Sequence, residues 1–229
     1  MSKPEVLFLH GAGGGGWEWN IWQRVFQAQG FETHAPDFLP AISGLENTRL
    51  EDYSLQVSEH LLPMTSPKII IGASLGGLLA LMNAEHADAI ILINPMPPAP
   101  LHLQMPGKEK YPAIIPWQAK ASLQGTRRAL FDSDVMTCLF AFRHWRNESG
   151  GVMNAAMAGI DINFRDQPML IMASELDMDM PFHISTQLAS YLNASFSFLP
   201  KTSHVGPLLG RSAAQFALQA VAYLNGIFR

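Results

Sequence analysis

The chain has 229 residues, 15 of them basic and 19 acidic, for a formal charge of −4. That mild acidity argues against the basic face of a nucleic-acid binder and the Lys/Arg run of an anionic-membrane surface. Nearly half the residues are apolar (48%), enough to fill the core of one large domain. The single cysteine, Cys138, rules out an intrachain disulfide; with no apolar leader after the initial MSKPEV, a reducing, cytoplasmic setting is expected.

In chain order, residues 6–9 read as a buried strand and 17–29 as a helix ended by Gly30. Residues 32–36 make a second strand, and 50–62 a helix stopped at Pro63. The β-branched run 68–73 is a strand, 75–86 a helix, and 89–94 a strand stopped by Pro95. The segment 69–84 is almost wholly apolar, but glycines interrupt it and it falls short of the ~20 residues of a membrane span. After Pro95 the texture turns proline-rich and loses its period, then 129–145 and 152–160 look helical. Alternation resumes with a strand at 168–173, a helix at 182–193, a strand at 195–199 and a helix at 213–224. Strands separated by helices imply an α/β fold, a mostly parallel sheet with helices on both faces. The strands are apolar throughout, as when both faces are covered. The expected organisation is a core of residues 1–96 and 166–229 with an insertion at 97–165 that does not extend the sheet.

The run Ile71-Gly72-Ala73-Ser74-Leu75-Gly76-Gly77 contains G-x-S-x-G between a predicted strand and helix, the context this motif requires. A strand turning at once into a helix strains its middle residue, and flanking glycines remove the side chains that would collide. Ser74 is therefore the candidate nucleophile, with the N–H of Leu75 free at the helix start to donate to an oxyanion. A serine needs a base, and the base an orienting acid. Of eight histidines, His204 lies in a polar turn after the last strand, on the same sheet edge as Ser74. Three carboxylates follow the strand at 168–173: Glu175, Asp177 and Asp179. Asp177 is the first choice and Asp179 the second, giving the chain order Ser, Asp, His that this architecture uses.

His10-Gly11-Ala12-Gly13 after the first strand, the elbow at Gly72–Gly77, Ser174-Glu175-Leu176-Asp177 with Pro181 four residues on, and Ser203-His204 together resemble the α/β-hydrolase superfamily over nearly the whole chain. The run 9–19 and Ala35-Pro36-Asp37 resemble the small capped esterases that include plant methyl esterases and hydroxynitrile lyases. The resemblance implies a sheet of about six strands, the acid at Asp177, a cap at 97–165, and a second oxyanion donor at the N–H of Ala12, with Gly13 in reserve. It implies that His10 holds the loop and moves no proton. Two family positions differ: no glycine follows Asp37 closely, and Ser174 stands where a glycine is usual.

The expected function is hydrolysis of a small-molecule carboxylic ester through an acyl-enzyme. No cofactor is expected, and no HExxH or clustered His/Cys spacing suggests a metal. No nucleic-acid or membrane partner is expected. Trp17, Met96, Met136 and Met153 are candidate walls of an apolar, adaptable pocket. A lyase acting on a cyanohydrin is a second reading, for which Lys108, Lys110 and Lys120 are the available lysines in the insertion. A third arises because Gly11, Gly13 and Gly16 spell G-x-G-x-x-G, with Asp37 about 20 residues on, the outline of an NAD(P) fingerprint. Trp17 and Trp19 crowd the approach a pyrophosphate needs, and no Tyr-x-x-x-Lys pair exists. A binding module that has lost catalysis is a fourth.

Overall fold

The computed structural model describes residues 4–106, 109–163 and 165–228; Lys108 lies outside them. Strand β1 (Glu5–Leu9) leads through a 3-10 turn (Gly16–Trp19) into α1 (Asn20–Ala28), then β2 (Glu32–His34), α2 (Leu50–Leu61), β3 (Lys68–Ala73), α3 (Leu75–Met82) and β4 (Ala89–Ile93). The insertion carries β5 (Ile114–Ile115), α4 (Trp117–Lys120), α5 (Leu123–Ala129), α6 (Val135–His144), β6 (Glu148–Ser149) and α7 (Gly150–Ala158). The core resumes with β7 (Met169–Ser174), α8 (Phe182–Tyr191), β8 (Ser195–Leu199), α9 (Gly206–Leu209) and α10 (Ala213–Ile227).

Six strands pair in the order β2-β1-β3-β4-β7-β8, all parallel. β5 and β6 form a separate antiparallel pair, so the insertion leaves the main sheet unextended. Period two sorts the strand residues onto two faces. Leu7, Leu9, Ile70, Ile90, Leu92 and Ile171 join one core with α2, α3, α7 and α8. Val6, Phe8, Ile69, Ile71, Ile91 and Met172 join the other with α1, α6 and α10. Each such side chain, fully buried, contributes about 1.5–3 kcal/mol, so a one-residue slip of β3 would disrupt both layers.

The helix expected at 129–145 begins only at Val135 and ends at His144, and a separate helix, α5, closes at Ala129 before it. Asp134 caps α6 by accepting the Thr137 N–H at 2.7 Å, and the Asp132-Ser133-Asp134 turn separates α6 from α5. The strand expected to run to Asn94 ends at Ile93 because Asn94 takes a left-handed conformation (φ 44°). From the central pair, β1 connects outward to β2 and β3 to β4. The carboxyl ends of β1 and β3 therefore flank a topological switch point, where α/β sheets place their ligands.

Candidate active site

Ser74 sits between β3 and α3 with φ 53° and ψ −118°, a region few non-glycine residues occupy. Backbone hydrogen bonds hold it there. Its N–H donates to Ile93 O, and its carbonyl accepts from the N–H groups of Gly77 and Met96, each at 3.0 Å, and of Leu78 at 3.4 Å. Such strain persists only when the surroundings over-determine it. The flanking glycines are required by contact: a Cβ on Gly72 would overlap the carbonyl of Gly76, and one on Gly76 the carbonyl of Leu9. The elbow is thus wedged against the end of β1.

His204 follows β8, and its Nδ1 lies 2.7 Å from Asp177 Oδ2. The Asp177 side chain is 1% exposed and that of His204 13%. The other Asp177 oxygen accepts the N–H groups of Asp179 and Met180, both at 2.8 Å. Burial alone pushes the His204 imidazole down, but the charge and hydrogen bond of Asp177, aided by Asp179 and Glu18, raise it to about 9. The hydrogen bonds of the structure include none from Ser74 Oγ to this imidazole, a link that catalytic sites commonly tighten only with substrate in place. Both residues line one cavity of about 620 Å³.

Two residues absent from the sequence reading hold the His204 loop. Asn94 donates to His204 O (2.8 Å) and Ser174 Oγ (2.9 Å), and accepts the Ser174 N–H (2.8 Å). Asp132, from the insertion, accepts the Ser203 hydroxyl at 2.6 Å. Ser174, where the family has glycine, is therefore part of the lattice that fixes the β7 end.

Most of the loop after β1 is tied down by hydrogen bonds. His10 donates from Nδ1 to Gly11 O (2.8 Å), while its Nε2 accepts from Phe38 N (3.0 Å) and Arg146 (3.1 Å). Burial, with the nearby Arg146 charge, pushes this imidazole down to about 4, so it is neutral at pH 7 and serves as a brace. Gly11 N–H donates to Glu18 (3.2 Å), Gly13 N–H to Glu148 (3.0 Å), Gly14 N–H to Gly11 O (3.1 Å) and Gly16 N–H to Asp37 (2.7 Å). These bonds correct the NAD(P) alternative. The amides of the three motif glycines, Gly11, Gly13 and Gly16, are taken by protein acceptors, and Asp37 is held by Gly16 and Arg146 (3.3 Å). They also separate the two oxyanion candidates, since Gly13 N–H is occupied. Among the described residues the N–H groups of Ala12 and Leu75 have no protein acceptor. Ala12 lines the cavity; Leu75, fully buried, offers its N–H at the first position of α3, where no intrahelical partner exists.

Met96 and Met153 lie on the cavity wall, with Trp117 and Trp145 from the insertion. Two expected wall residues lie elsewhere. Met136 points outward from α6 and is 72% exposed. Trp17 packs edge-on against Phe140 and Trp145, behind the wall. Glu18 is the unexpected wall residue: it is buried (3% exposed), and burial raises its carboxyl to about 8 against the opposing pull of the Gly11 N–H and His204. Its place between two tryptophans gave no sign of this. Among the described residues, two clusters have metal-ligating atoms close together, Glu5/Glu32/His34 and Asp177/Asp179/His204. In the first, Glu5 already accepts from Thr65 and meets His34; in the second, Asp177 already holds His204. No described helix is long and apolar enough to cross a membrane.

A six-stranded parallel sheet with a strained serine between β3 and α3, and a histidine paired to an aspartate on the same cavity, defines an α/β scaffold of the kind that carries its site at a strand–helix elbow. The alpha/beta hydrolase family profile matches residues 6–220, and the chain belongs to that family. Over 111 residues it is 30% identical to norfluorocurarine synthase 1 of Strychnos nux-vomica, a match spanning 43% of this chain and 41% of that one. It is similar in fold to polyneuridine aldehyde esterase (TM-score 0.70, 16% identity, covering 96% of this chain and 100% of that one). It is likewise similar to the pyrethroid hydrolase PytH (TM-score 0.75, 19% identity, 98% of each chain).

Proposed function

We propose that the protein is a serine esterase that cleaves a small-molecule carboxylic ester through an acyl-enzyme. The observation that carries this reading is the buried Asp177–His204 hydrogen bond of 2.7 Å facing the same cavity as Ser74. Asp177 accepts a hydrogen bond from the Nδ1–H of His204, which leaves Nε2 as the basic nitrogen for the Ser74 hydroxyl. Ser74 Oγ attacks the ester carbonyl as Nε2 takes its proton. The carbonyl oxygen becomes an oxyanion, held by the N–H groups of Ala12 and Leu75. Nε2–H then protonates the departing alcohol. Water repeats the cycle on the acyl-enzyme and restores Ser74. One oxyanion donor is worth about 3 kcal/mol in comparable sites.

The insertion acts as the cap: Trp117 and Trp145 come from it to the cavity that Ser74 lines. With Met96 and Met153 they form a wall suited to an apolar, variable acyl or alcohol group. The similarity in fold to an esterase and a pyrethroid hydrolase agrees with this choice. Ser74→Ala is the test. It should abolish turnover of p-nitrophenyl acetate and labelling by a fluorophosphonate probe; a tenth of wild-type activity surviving would remove Ser74 from the role. A second reading, cyanohydrin cleavage, is favoured by one observation, Lys120 on the cavity wall. Release of cyanide from mandelonitrile, lost in Lys120→Ala with ester hydrolysis kept, would decide for it.

A further inference from the structure

We infer that Glu148, seconded by Arg146, is a positioning residue that sets the oxyanion hole by clamping the loop after β1 from the insertion; this rests on the serine-esterase reading above. The clamp acts on both sides of one residue. Gly13 N–H donates to Glu148 Oε2 at 3.0 Å, and Gly13 O accepts the Arg146 N–H at 2.8 Å. One residue on, Gly14 O accepts from Arg146 Nε at 2.6 Å, and the same guanidinium reaches His10 Nε2. Ala12, whose N–H is the proposed donor, lies between His10 and Gly13, so this segment fixes the chain on both sides of it.

The geometry leaves no slack. Gly13 has φ +68°, and a Cβ there would come within 2.7 Å of the Trp117 ring and 3.1 Å of Arg146 O. Glu148 is 3% exposed, and its burial is compensated by donors. Tyr53 OH (2.9 Å) and the Ser149 N–H (2.8 Å) take Oε1, leaving Oε2 for Gly13. Burial, with the Glu148 charge and hydrogen bond behind it, pushes the Tyr53 phenol up, so Tyr53 remains a donor at any working pH. A carboxylate with both oxygens committed to N–H and O–H donors has no neutral isostere that satisfies all of them. A glutamine that keeps its oxygen on the two donors of Oε1, Tyr53 OH and the Ser149 N–H, turns its NH2 toward Gly13 N–H, donor against donor. Without the clamp, Gly13 N–H is free and Ala12 N–H is no longer aimed. Misplacement of a reacting group by about 1 Å can cost on the order of 100-fold in rate.

The test compares Glu148→Gln with Ser149→Ala in hydrolysis of p-nitrophenyl acetate. Ser149 Oγ bonds Thr48 O and the Val152 N–H, so its loss weakens the same segment without touching Gly13. Glu148→Gln is expected to lower kcat about 10- to 100-fold with KM within about threefold, and to slow fluorophosphonate labelling in parallel. Ser149→Ala is expected to lower the melting temperature while keeping kcat within about threefold of wild type. Glu148→Asp, which retains the charge on a shorter arm, should recover part of kcat. A folded Glu148→Gln with wild-type kcat, or a kcat loss matched by Ser149→Ala, overturns the inference. Should Glu148→Gln fail to fold, Arg146→Lys takes its place. It keeps the backbone bond to Gly13 but loses the fork to Gly14 and His10, and an unchanged kcat there overturns the inference equally. Ser74→Ala run alongside separates the two failures: an active Ser74→Ala removes the esterase reading, whereas an inactive one beside an unaffected Glu148→Gln removes only this inference.

Discussion

Asp177→Asn tests the relay at the point where the structure dictates what the substitution does. Asp177 Oδ1 accepts two backbone N–H groups, from Asp179 and Met180, at 2.8 Å. An asparagine must keep its oxygen there, because turning the NH2 toward two N–H donors leaves three donors facing one another. Its NH2 therefore faces His204 Nδ1, which must become the acceptor. The imidazole proton moves to Nε2, the atom that has to receive the Ser74 proton. The variant also loses the largest of the charges that lift the imidazole to about 9. With the wrong tautomer as well, the expected loss in kcat is about 10,000-fold. The assay is kcat and kcat/KM for p-nitrophenyl acetate from pH 5 to 10, corrected for chemical hydrolysis. Wild type needs a neutral His204, so its kcat/KM should rise with pH along a limb displaced above 6.5 toward about 9. In Asp177→Asn burial still acts downward and only the smaller pull of Asp179 and Glu18 opposes it, so the limb should move down from its wild-type position. A variant with more than a tenth of wild-type kcat, or with its limb unmoved, refutes the reasoning. Asp179→Asn is the counterpart: Asp179 also raises the imidazole but makes no hydrogen bond to it, and kcat should stay within about threefold.

Glu18→Gln should alter stability in a pH-dependent way. The folded carboxyl, near 8, lies above its ordinary 4.5, so the folded protein holds that proton more tightly and loses stability as pH rises from 4.5 through 8. Glutamine cannot ionise and still accepts the Gly11 N–H; its melting temperature should match wild type at pH 4.5 and exceed it at pH 8.5, and a constant difference across that range would contradict the buried acid. Gly76→Ala sets a methyl against the Leu9 and His10 carbonyls, an overpacking cost of about 1–3 kcal/mol. A fall of about 3–10 °C in melting temperature is expected, and an unchanged value would mean that the elbow is looser than its contacts indicate. Asn94→Ala removes three hydrogen bonds around Ser174 and His204 O. It should lower both thermal stability and kcat, and wild-type kinetics would show that the His204 loop is held by its other contacts.

The parts of this molecule that repeat a local rule were legible in the sequence. Runs such as Ile69-Ile70-Ile71 can only be strands covered on both faces, and a glycine-serine-glycine turn between strand and helix has one strained geometry open to it. The parts that depend on distant contact were not. Nothing in the spacing of Asn94, Asp132, Arg146 or Glu148 marks them, because each acts through partners 71 to 136 residues away. Glu18 stands at a helix start and drew no reading; it lies inside, between Trp17 and Trp19, which pack on Phe140 and Phe8. Met136 was misplaced for the opposite reason. The Asp134 cap sets the phase of α6 so that Cys138 and Ala141 face the core, and a residue two positions before Cys138 then points roughly 200° away. The unread residues share a feature: each presents a carboxylate, amide or guanidinium to backbone groups of a loop at the carboxyl edge of the sheet. Loops there cannot satisfy their own N–H and C=O groups, and burying those groups unpaired costs about 1–3 kcal/mol each. The insertion supplies Asp132, Arg146 and Glu148 as the partners. It therefore completes the hydrogen bonding of the His204 and Ala12 loops as well as covering them, and a chain with residues 97–165 removed should lose the geometry of both, along with the pocket.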